Sequence, residues 1–319
     1  MAKVASAAKK LKRHPEGSFI GTLKRNRTLL LMLLPALILI IIFAYLPMGG
    51  LVLAFKNFNY RDGIFGSPWV GLENFKFFFQ SGQAWTITRN TALYNLAFIL
   101  VNTTIEVGFA IVLSEIEHRR IKKLTQSSFF LPYFISWVVV GSIAYGLFNY
   151  EHGTVNNLIT ALGGKPINVY AEPGVWPFII IVFNAWKSVG YGMVVYLAAI
   201  VGVDASLHEA ASIDGANIFQ RTWHITLPTI LPTVVTLTLM AIGKIFRGNL
   251  DLFFQLVGYN GTLFDTTDVI DTVVFRLTTT STTLGQPAAI GFYQSIMCFV
   301  TIMVVNWIVK RTAEDYALF

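Results

Sequence analysis

The sequence has little of what enzymes use for chemistry. Cysteine occurs once, at Cys298, which excludes a disulfide framework within the chain. The H-E-x-x-H pair of zinc peptidases and the G-x-S-x-G elbow of serine hydrolases are both missing, so metal-dependent or nucleophilic catalysis has no motif to support it. The phosphate-binding pattern G-x-x-x-x-G-K-[ST] is missing too, because Gly163-Gly164-Lys165-Pro166 has neither its spacing nor the following hydroxyl. The sequence therefore predicts no ATPase site in this chain.

Charged residues are also scarce. They make up 13% of the 319 residues, whereas hydrophobic residues make up 54%, and the mean hydropathy is +0.59. A soluble domain needs a more polar surface, so this composition predicts a membrane protein. Apolar runs long enough to cross a hydrocarbon core of about 30 Å lie at residues 29–47, 91–113, 129–148, 176–201, 229–246 and 288–309. We predict an all-α integral membrane protein with six transmembrane helices.

The basic residues predict its orientation. They cluster before the first run, at 119–123 between the second and third runs, and at Lys310 and Arg311 after the last. If every run crosses, all three groups lie on one side, so the positive-inside rule predicts a multi-pass protein of the cytoplasmic membrane with both termini cytoplasmic. We divide the chain into a basic cytoplasmic segment 1–28, a membrane domain 29–311 and a cytoplasmic tail 312–319. A basic segment directly before a span favours contact with membrane lipids over nucleic acid.

Residues 204–228 form a polar segment between the fourth and fifth runs. Ser206 and Glu209 have the S-x-x-E spacing of a capping box, which predicts the start of a short helix. Gly215 predicts a sharp turn, after which a second amphipathic stretch continues until Pro228. We expect two short helices that form a compact cytoplasmic projection.

This segment resembles the coupling motif of permease subunits in binding-protein-dependent ABC importers. The resemblance lies in the pattern E-A-A-x-x-D-G-A, followed by Leu-Pro and by a second proline four residues later. In that family the loop inserts into a groove of the ATPase subunit. The resemblance implies that the contact is made by Glu209, Ala210, Ala211, Asp214, Gly215 and Ala216, and that Leu227, Pro228 and Pro232 return the chain to the membrane. The alternative is a pair of surface helices with a glycine break.

Further short matches resemble the permeases of lipoprotein-dependent polysaccharide and oligosaccharide importers, which are similar to alginate importers and more distantly to maltose-type importers. They lie at residues 45–50, 54–56, 69–75, 131–137 and 289–295. The resemblance implies the type I ABC importer permease fold and no cofactor or ATPase site in this chain. It also implies a heterodimer with a second related permease, two ABC ATPase subunits that bind ATP and Mg²⁺, an extracellular lipoprotein-type solute-binding protein, and an oligosaccharide substrate.

Polar side chains within the apolar runs indicate a transport pathway, because such groups are costly in a bilayer and usually face the interior of a helix bundle. Three runs carry them on one helical face: Asn95, Asn102 and Glu106 on the second, Asn184, Lys187 and Tyr191 on the fourth, and Lys244, Arg247, Asp251 and Gln255 on the fifth. Except for Asn95, we predict that all of them line the pathway of a transporter that works by alternating access.

Several alternatives stay open at this point. Glu106 could simply neutralise Lys187, and Arg247 could neutralise Asp251 four residues later. Lys244 and Arg247 would attract a carboxylated sugar, whereas the amide and tyrosine side chains suit a neutral oligosaccharide equally well. An ion-coupled secondary transporter would need its own carboxylates at mid-depth, for which Glu106 alone is a weak basis. A membrane scaffold or sensor is the third alternative.

Overall fold

The computed structural model describes residues 26–281 and 283–312, and every regular element within these ranges is helical. The α-helices are α1 (Arg27–Ile40), α2 (Gly63–Gly66), α3 (Glu73–Gln80), α4 (Gln83–Ser114), α5 (Arg119–Phe130), α6 (Trp137–Phe148), α7 (Thr154–Ala161), α8 (Trp176–Val201), α9 (Ala205–Ile213), α10 (Ile218–Arg221), α11 (Leu227–Ile242), α12 (Leu250–Val257), α13 (Phe264–Thr267), α14 (Ile270–Thr280) and α15 (Gly285–Thr312). Shorter π-helical (Ile41–Tyr45, Thr222–Thr226) and 3-10 segments (Leu46–Phe55, Leu131–Phe134, Val169–Ala171, Gly261–Leu263) extend or join them. The predicted all-α class is confirmed, while most of the predicted segment 1–28 and the predicted tail beyond Thr312 lie outside the described residues.

Five helical segments of the described chain are long and apolar enough to cross a membrane. They are Arg27–Phe55, Gln83–Ser114, Trp176–Val201, Ile218–Ile242 and Gly285–Arg311. The predicted third span is a broken one: Arg119–Phe134 and Trp137–Phe148 meet at an angle of 94°. The six predicted crossings therefore correspond to five continuous helices and one bent pair.

The helix α4 is longer than the apolar run that predicted it. It begins at Gln83, eight residues before the run, directly after Gly82, whose φ of +73° suits a residue without a Cβ. At 1.5 Å per residue a helix of this length exceeds a hydrocarbon core of about 30 Å. Its first turns carry the polar residues Gln83 and Arg89, which explains why the apolar run begins later.

The chain forms two compact units, which divide between Val52 and Leu53. Of the first unit, residues 26–52 are described, and they contain most of the apolar first span Arg27–Phe55. The second unit contains all later elements. Within it α8 packs along α4, and both also contact α11, so these three helices form the centre of the unit.

Three hydrophobic clusters stabilise the second unit. Around Trp176, residues of α4, α6, α8 and α12 pack together, and the Trp176 indole N–H donates to the Val169 carbonyl over 2.9 Å. Around Met193, residues of α4, α8 and α11 form a second cluster. Around Ile290, residues of α3, α4, α14 and α15 form the third. Each cluster joins helices that are distant in sequence, which holds the polar face between α4, α8 and α11 in place.

The segment before α3 folds around a buried lysine. The Lys56 ammonium donates to the carbonyls of Ile64 (3.0 Å) and Phe65 (2.7 Å) and lies 5.5 Å from the centroid of the Trp69 ring. The Asn74 amide donates to the carbonyls of Ala54 and Lys56, each over 3.0 Å. The sequence matches at 54–56 and 69–75 therefore contribute structural contacts to this compact segment.

Candidate functional site

The polar segment 204–228 begins with a cap that differs from the predicted one. Asp204 is the N-cap of α9, and its Oδ1 accepts the Ser206 amide over 3.0 Å. This hydrogen bond lowers the pKa of the exposed Asp204 carboxyl below its usual value. The predicted start at Ser206 with Glu209 was therefore wrong by two residues, because a carboxylate precedes the serine and takes the capping position.

A reciprocal capping box is present instead at the start of α10. Asn217 Oδ1 accepts the Gln220 amide over 2.9 Å, and Gln220 Oε1 accepts the Asn217 amide over 2.8 Å. Both side chains satisfy amides that have no partner within the helix. The sequence predicted a second amphipathic stretch that ends at Pro228, but α10 continues through a π-helical turn into α11 and so forms the start of the fifth span.

The predicted glycine turn between α9 and α10 is confirmed. Gly215 has a φ of +80°, its amide donates to the Ser212 carbonyl over 3.2 Å, and the Ala216 amide donates to the Ala211 carbonyl over 2.9 Å. This is the Schellman arrangement, in which a glycine just beyond the helix end satisfies the last carbonyls. The turn reverses the chain tightly and gives the segment a defined shape.

Three large apolar side chains of this segment are largely exposed. Ile213 is 86% exposed, Phe219 85% and Trp223 70%. Among the residues predicted to contact a partner, Glu209, Ala210, Asp214 and Gly215 are exposed, whereas Ala211 and Ala216 are half-buried in the turn. An exposed large apolar side chain outside the spans, such as that of Ile213, is typical of a surface that binds another protein, whereas Phe219 and Trp223 lie at the start of the span Ile218–Ile242.

One side chain ties this segment to α4. The Arg221 guanidinium donates to Ser212 Oγ over 2.8 Å and to Glu115 Oε2 over 3.4 Å, and Glu115 is the C-cap residue directly after α4. Arg221 and Glu115 are both about three-quarters buried, with 22% and 28% of their side chains exposed. The loop is thus attached to the second span by an ion pair as well as to the fourth and fifth spans by the chain.

A cavity of about 570 Å³ lies between α4, α8, α11 and the turn that follows α11. The predicted pathway residues that line it are Asn102, Glu106, Asn184, Tyr191, Lys244 and Arg247. Asn102 Oδ1 is buried there with no hydrogen-bond partner among the described residues. The lining of the cavity is mixed, since it combines amides, two tyrosines, one carboxyl group and two basic side chains with apolar residues such as Phe98 and Leu237.

The three other predicted pathway residues lie elsewhere. Lys187 is buried and donates to the backbone carbonyls of Pro132 (3.3 Å), Tyr133 (2.8 Å) and Ile135. The hypothesis of a Glu106–Lys187 ion pair is wrong, because the ammonium is already bound at the break between α5 and α6. Glu106 instead lies beside Gly192, where a Cβ would collide with its carboxylate.

Asp251 and Gln255 are separated from the cavity by the end of the fifth span. α11 ends at Ile242, and α12 begins at Leu250 after the Asn249 N-cap, so the predicted single stripe from Lys244 to Gln255 does not form. Asp251 is exposed, and the ion pairs of the described residues do not include one between Arg247 and Asp251. The backbone of Gln255 packs closely against Gly141 of α6, and a Cβ at Gly141 would collide with the Gln255 carbonyl.

The turn between α11 and α12 is held by residues that sequence reasoning missed. Asp271 Oδ2 accepts the Gly248 amide (2.5 Å) and the Gln294 amide (2.8 Å), and Gln294 also donates to the Phe246 carbonyl over 2.9 Å. Burial raises the pKa of the Asp271 carboxyl, while these hydrogen bonds and the nearby Arg247 oppose the increase. The one available signal was Gln294, which lies within the sequence match at 289–295.

Comparison with known proteins adds to this geometry. Residues 106–314 match the model of the family described as "Binding-protein-dependent transport system inner membrane component". The chain is 32% identical to protein LplB of Bacillus subtilis over 93% of either chain. It is 30% identical to the polygalacturonan/rhamnogalacturonan transport system permease protein YteP of the same organism, over 91% of this chain and 90% of YteP.

Solved structures of ABC transporter chains are also similar to this chain. A chain of a bacterial ABC transporter involved in the import of the acidic polysaccharide alginate superimposes with a TM-score of 0.82 at 30% identity, covering 92% of this chain and 98% of that one. A chain of the alginate transporter in complex with an alginate pentasaccharide-bound periplasmic protein gives 0.81 at 29% identity, covering 92% and 97%.

Proposed function

Because the chain belongs to the family of binding-protein-dependent transport system inner membrane components, it is a permease subunit of an ABC importer, and we propose that its cargo is an oligosaccharide that carries carboxylates. The observation that carries this proposal is the composition of the cavity. Lys244 and Arg247 lie at the end formed by the turn after α11, and amides, two tyrosines and apolar side chains line the remainder.

Each kind of side chain in the cavity suits one feature of such a cargo. Amides such as those of Asn102 and Asn184 can donate to and accept from sugar hydroxyls, and a tyrosine ring can stack on the apolar face of a pyranose. Arg247 can bind a carboxylate with two parallel hydrogen bonds. The acidic polysaccharide named for the alginate transporter and the polygalacturonan named for YteP support the same class of cargo.

We further propose that the segment 204–228 is the contact with an ATPase subunit. Its apolar side chains, Ile213, Phe219 and Trp223, would be covered in that contact, and Glu209 and Asp214 would lie at its rim. ATP and Mg²⁺ would be bound by two separate ATPase subunits, since the chain has no phosphate-binding motif. A second related permease would complete the pathway, because one six-span chain encloses only part of it. Both termini would be cytoplasmic, on the same side as this segment.

An extracellular solute-binding protein would deliver the cargo, as the periplasmic protein of the alginate transporter complex suggests. Alternating access then follows from the connections of the segment. A movement of α9 and α10 would reach α8 and α11 through the chain and α4 through Arg221, and these three helices line the cavity.

The test is the ATPase activity of the complex that copurifies with this chain, reconstituted in lipid with its binding protein. We expect stimulation by tetragalacturonate and by an alginate tetrasaccharide, and none by maltotetraose. Lys244→Gln and Arg247→Gln should remove this stimulation, whereas Arg89→Gln, which removes an exposed cation outside this cavity, should not. Stimulation by maltotetraose that persists in both cavity variants would overturn the acidic cargo, and a chain that purifies without any ATPase would overturn the proposed assembly.

A further inference from the structure

The helix of the third span is interrupted between Phe134 and Trp137, within the span itself. The helical segment Arg119–Phe134 and helix α6 meet at 94°, and the break packs against the middle of α8. Carbonyls at the end of a helix have no amide partner within that helix. In the membrane interior an unsatisfied carbonyl is costly, so irregular backbone persists there only where protein groups satisfy it.

Lys187 supplies further donors at this break, where the Ile135 amide donates to the Pro132 carbonyl over 3.1 Å. Its Nζ donates to the carbonyls of Pro132, Tyr133 and Ile135, and lies 5.8 Å from the Tyr133 ring centroid and 5.3 Å from that of Trp137. An ammonium has three N–H groups and a neutral amine only two, so three carbonyl partners match the charged form. Two aromatic rings add attraction for a cation. The four ion pairs of the described chain do not include Lys187.

The break that Lys187 holds also carries an aromatic ring close to the cavity. The rings of Tyr133 and Tyr191 are stacked, with centroids 5.0 Å apart and planes at 17°. Tyr191 is one helical turn beyond Lys187 on α8 and lines the cavity. Lys187 therefore fixes the backbone of the residue on which the cavity tyrosine rests, although it does not line the cavity itself.

We propose that Lys187 is a positioning residue: its ammonium acts as a built-in cation for the carbonyl cluster at the break and thereby sets the Tyr133–Tyr191 wall of the cavity. The carbonyl cluster is thus a primary-ammonium site that the chain fills with its own side chain. The part that concerns the cavity rests on the proposed function, whereas the ammonium site does not.

The first experiment restores the missing group from solution. In Lys187→Ala, the space left by the side chain matches propylammonium, which keeps the three N–H donors. Tetramethylammonium keeps the charge but has no N–H group and serves as the matched probe. We expect propylammonium to raise the unfolding temperature of the variant complex in a saturable way, with no such shift for tetramethylammonium or for the unaltered complex. Equal responses to both cations, or none, would overturn the ammonium site.

The second experiment separates positioning from direct contact with cargo. Lys187→Met keeps an unbranched side chain, one atom shorter than that of lysine, and removes all donors. We expect uptake of tetragalacturonate and of any neutral oligosaccharide that the complex accepts to fall by the same factor, about tenfold. In Lys187→Ala, propylammonium should restore uptake in part. A loss confined to tetragalacturonate would overturn the proposal, because it would show that Lys187 binds the carboxylate.

The two experiments distinguish the two possible failures. If the complex transports no oligosaccharide, the proposed function fails, but the unfolding shift with propylammonium still reports the ammonium site. If uptake is normal in the unaltered complex and Lys187→Met leaves it unchanged, the proposed function stands and the positioning role fails.

Discussion

The segment 204–228 and the cavity distribute polarity in opposite ways. The segment exposes Ile213, Phe219 and Trp223 to the surroundings, whereas the cavity encloses Asn184, Glu106 and other polar groups within a membrane protein. An exposed apolar surface and an enclosed polar one are both unfavourable in an isolated chain. The apolar surface becomes favourable once another protein covers it. The polar cavity becomes favourable once it holds a hydrated or polar cargo.

The two regions also differ in how they are built. The segment is held by hydrogen bonds between near neighbours, such as Gly215 with Ser212 and Asn217 with Gln220. The cavity depends on α4, α8, α11 and a turn fixed by Asp271 and Gln294. Substitutions elsewhere in the chain should therefore leave the shape of the segment unchanged, whereas the shape of the cavity should change when residues distant in sequence are substituted. Substitutions that act on one region alone test this difference.

The largest effect is expected at Asp271. Replacement by Leu leaves the amides of Gly248 and Gln294 without their acceptor, and we estimate a cost of about 3 kcal/mol, or roughly 100-fold in uptake of oligosaccharide. Asp251→Leu is the matched control, because that carboxylate is exposed on the next helix. Uptake by cells that produce each variant measures the effect. Equal losses at both positions would show that the turn is not held as the structure indicates.

A smaller effect is expected at Gly215, and the chain provides an unusually close control. Gly215 and Gly163 have φ values of +80° and +81°, and a Cβ at either position would meet nothing within 4 Å. Alanine in this conformation costs about 1–2 kcal/mol at each site. We expect Gly215→Ala to reduce uptake about tenfold while the binding protein still captures sugar, and Gly163→Ala to leave uptake intact.

The measurement is uptake together with the amount of ATPase that copurifies. Since the backbone cost is the same, both variants should lose similar thermal stability, and only Gly215→Ala should lose uptake. A parallel loss of uptake in both variants would mean that strain, and not the position in the segment, causes the defect.

The sequence predicted the two regions unequally, for the same reason that they are built differently. The turn at Gly215 and the approximate extent of the spans follow from residues adjacent in the chain, so they could be predicted. The cap at Asp204 was missed by two residues, because two neighbouring side chains compete for one position. The polar face of α4 and α8 was predicted from helical periodicity, and Asn102, Glu106, Asn184 and Tyr191 do line the cavity.

The errors concern interruptions that tertiary contacts stabilise. Nothing in the apolar run 129–148 shows that Lys187 of another helix will bind its carbonyls, so the bend was not predicted. Nothing before Asn249 shows that Asp271 and Gln294 will hold a turn after Ile242, so Asp251 was placed on the wrong element. In each case a residue far along the chain satisfies backbone groups that a continuous helix would have satisfied itself.

The smallest expected effect concerns the link between the two regions. Arg221 and Glu115 join the segment to α4, on which Glu106 lies about 14 Å away at 1.5 Å per residue. A partly exposed ion pair contributes about 0.5–1 kcal/mol, so we expect Arg221→Met and Glu115→Gln each to reduce uptake about two- to fivefold. If the pair acts as a unit, the double variant should lose no more uptake than the more impaired of the two single variants.

The exposed pair Glu73–Lys76 provides the control. Its atoms are 2.8 Å apart, closer than those of Arg221 and Glu115, but 65% of the Glu73 side chain and 58% of the Lys76 side chain are exposed. Its double-variant cycle in uptake should give no coupling. Additive losses for Arg221 and Glu115 would mean that α4 does not depend on this contact. Coupling in uptake without coupling in thermal stability would instead show that the pair acts during transport. In that case a movement of the segment reaches the cavity through the second span, independently of the chain that leads into the fourth and fifth.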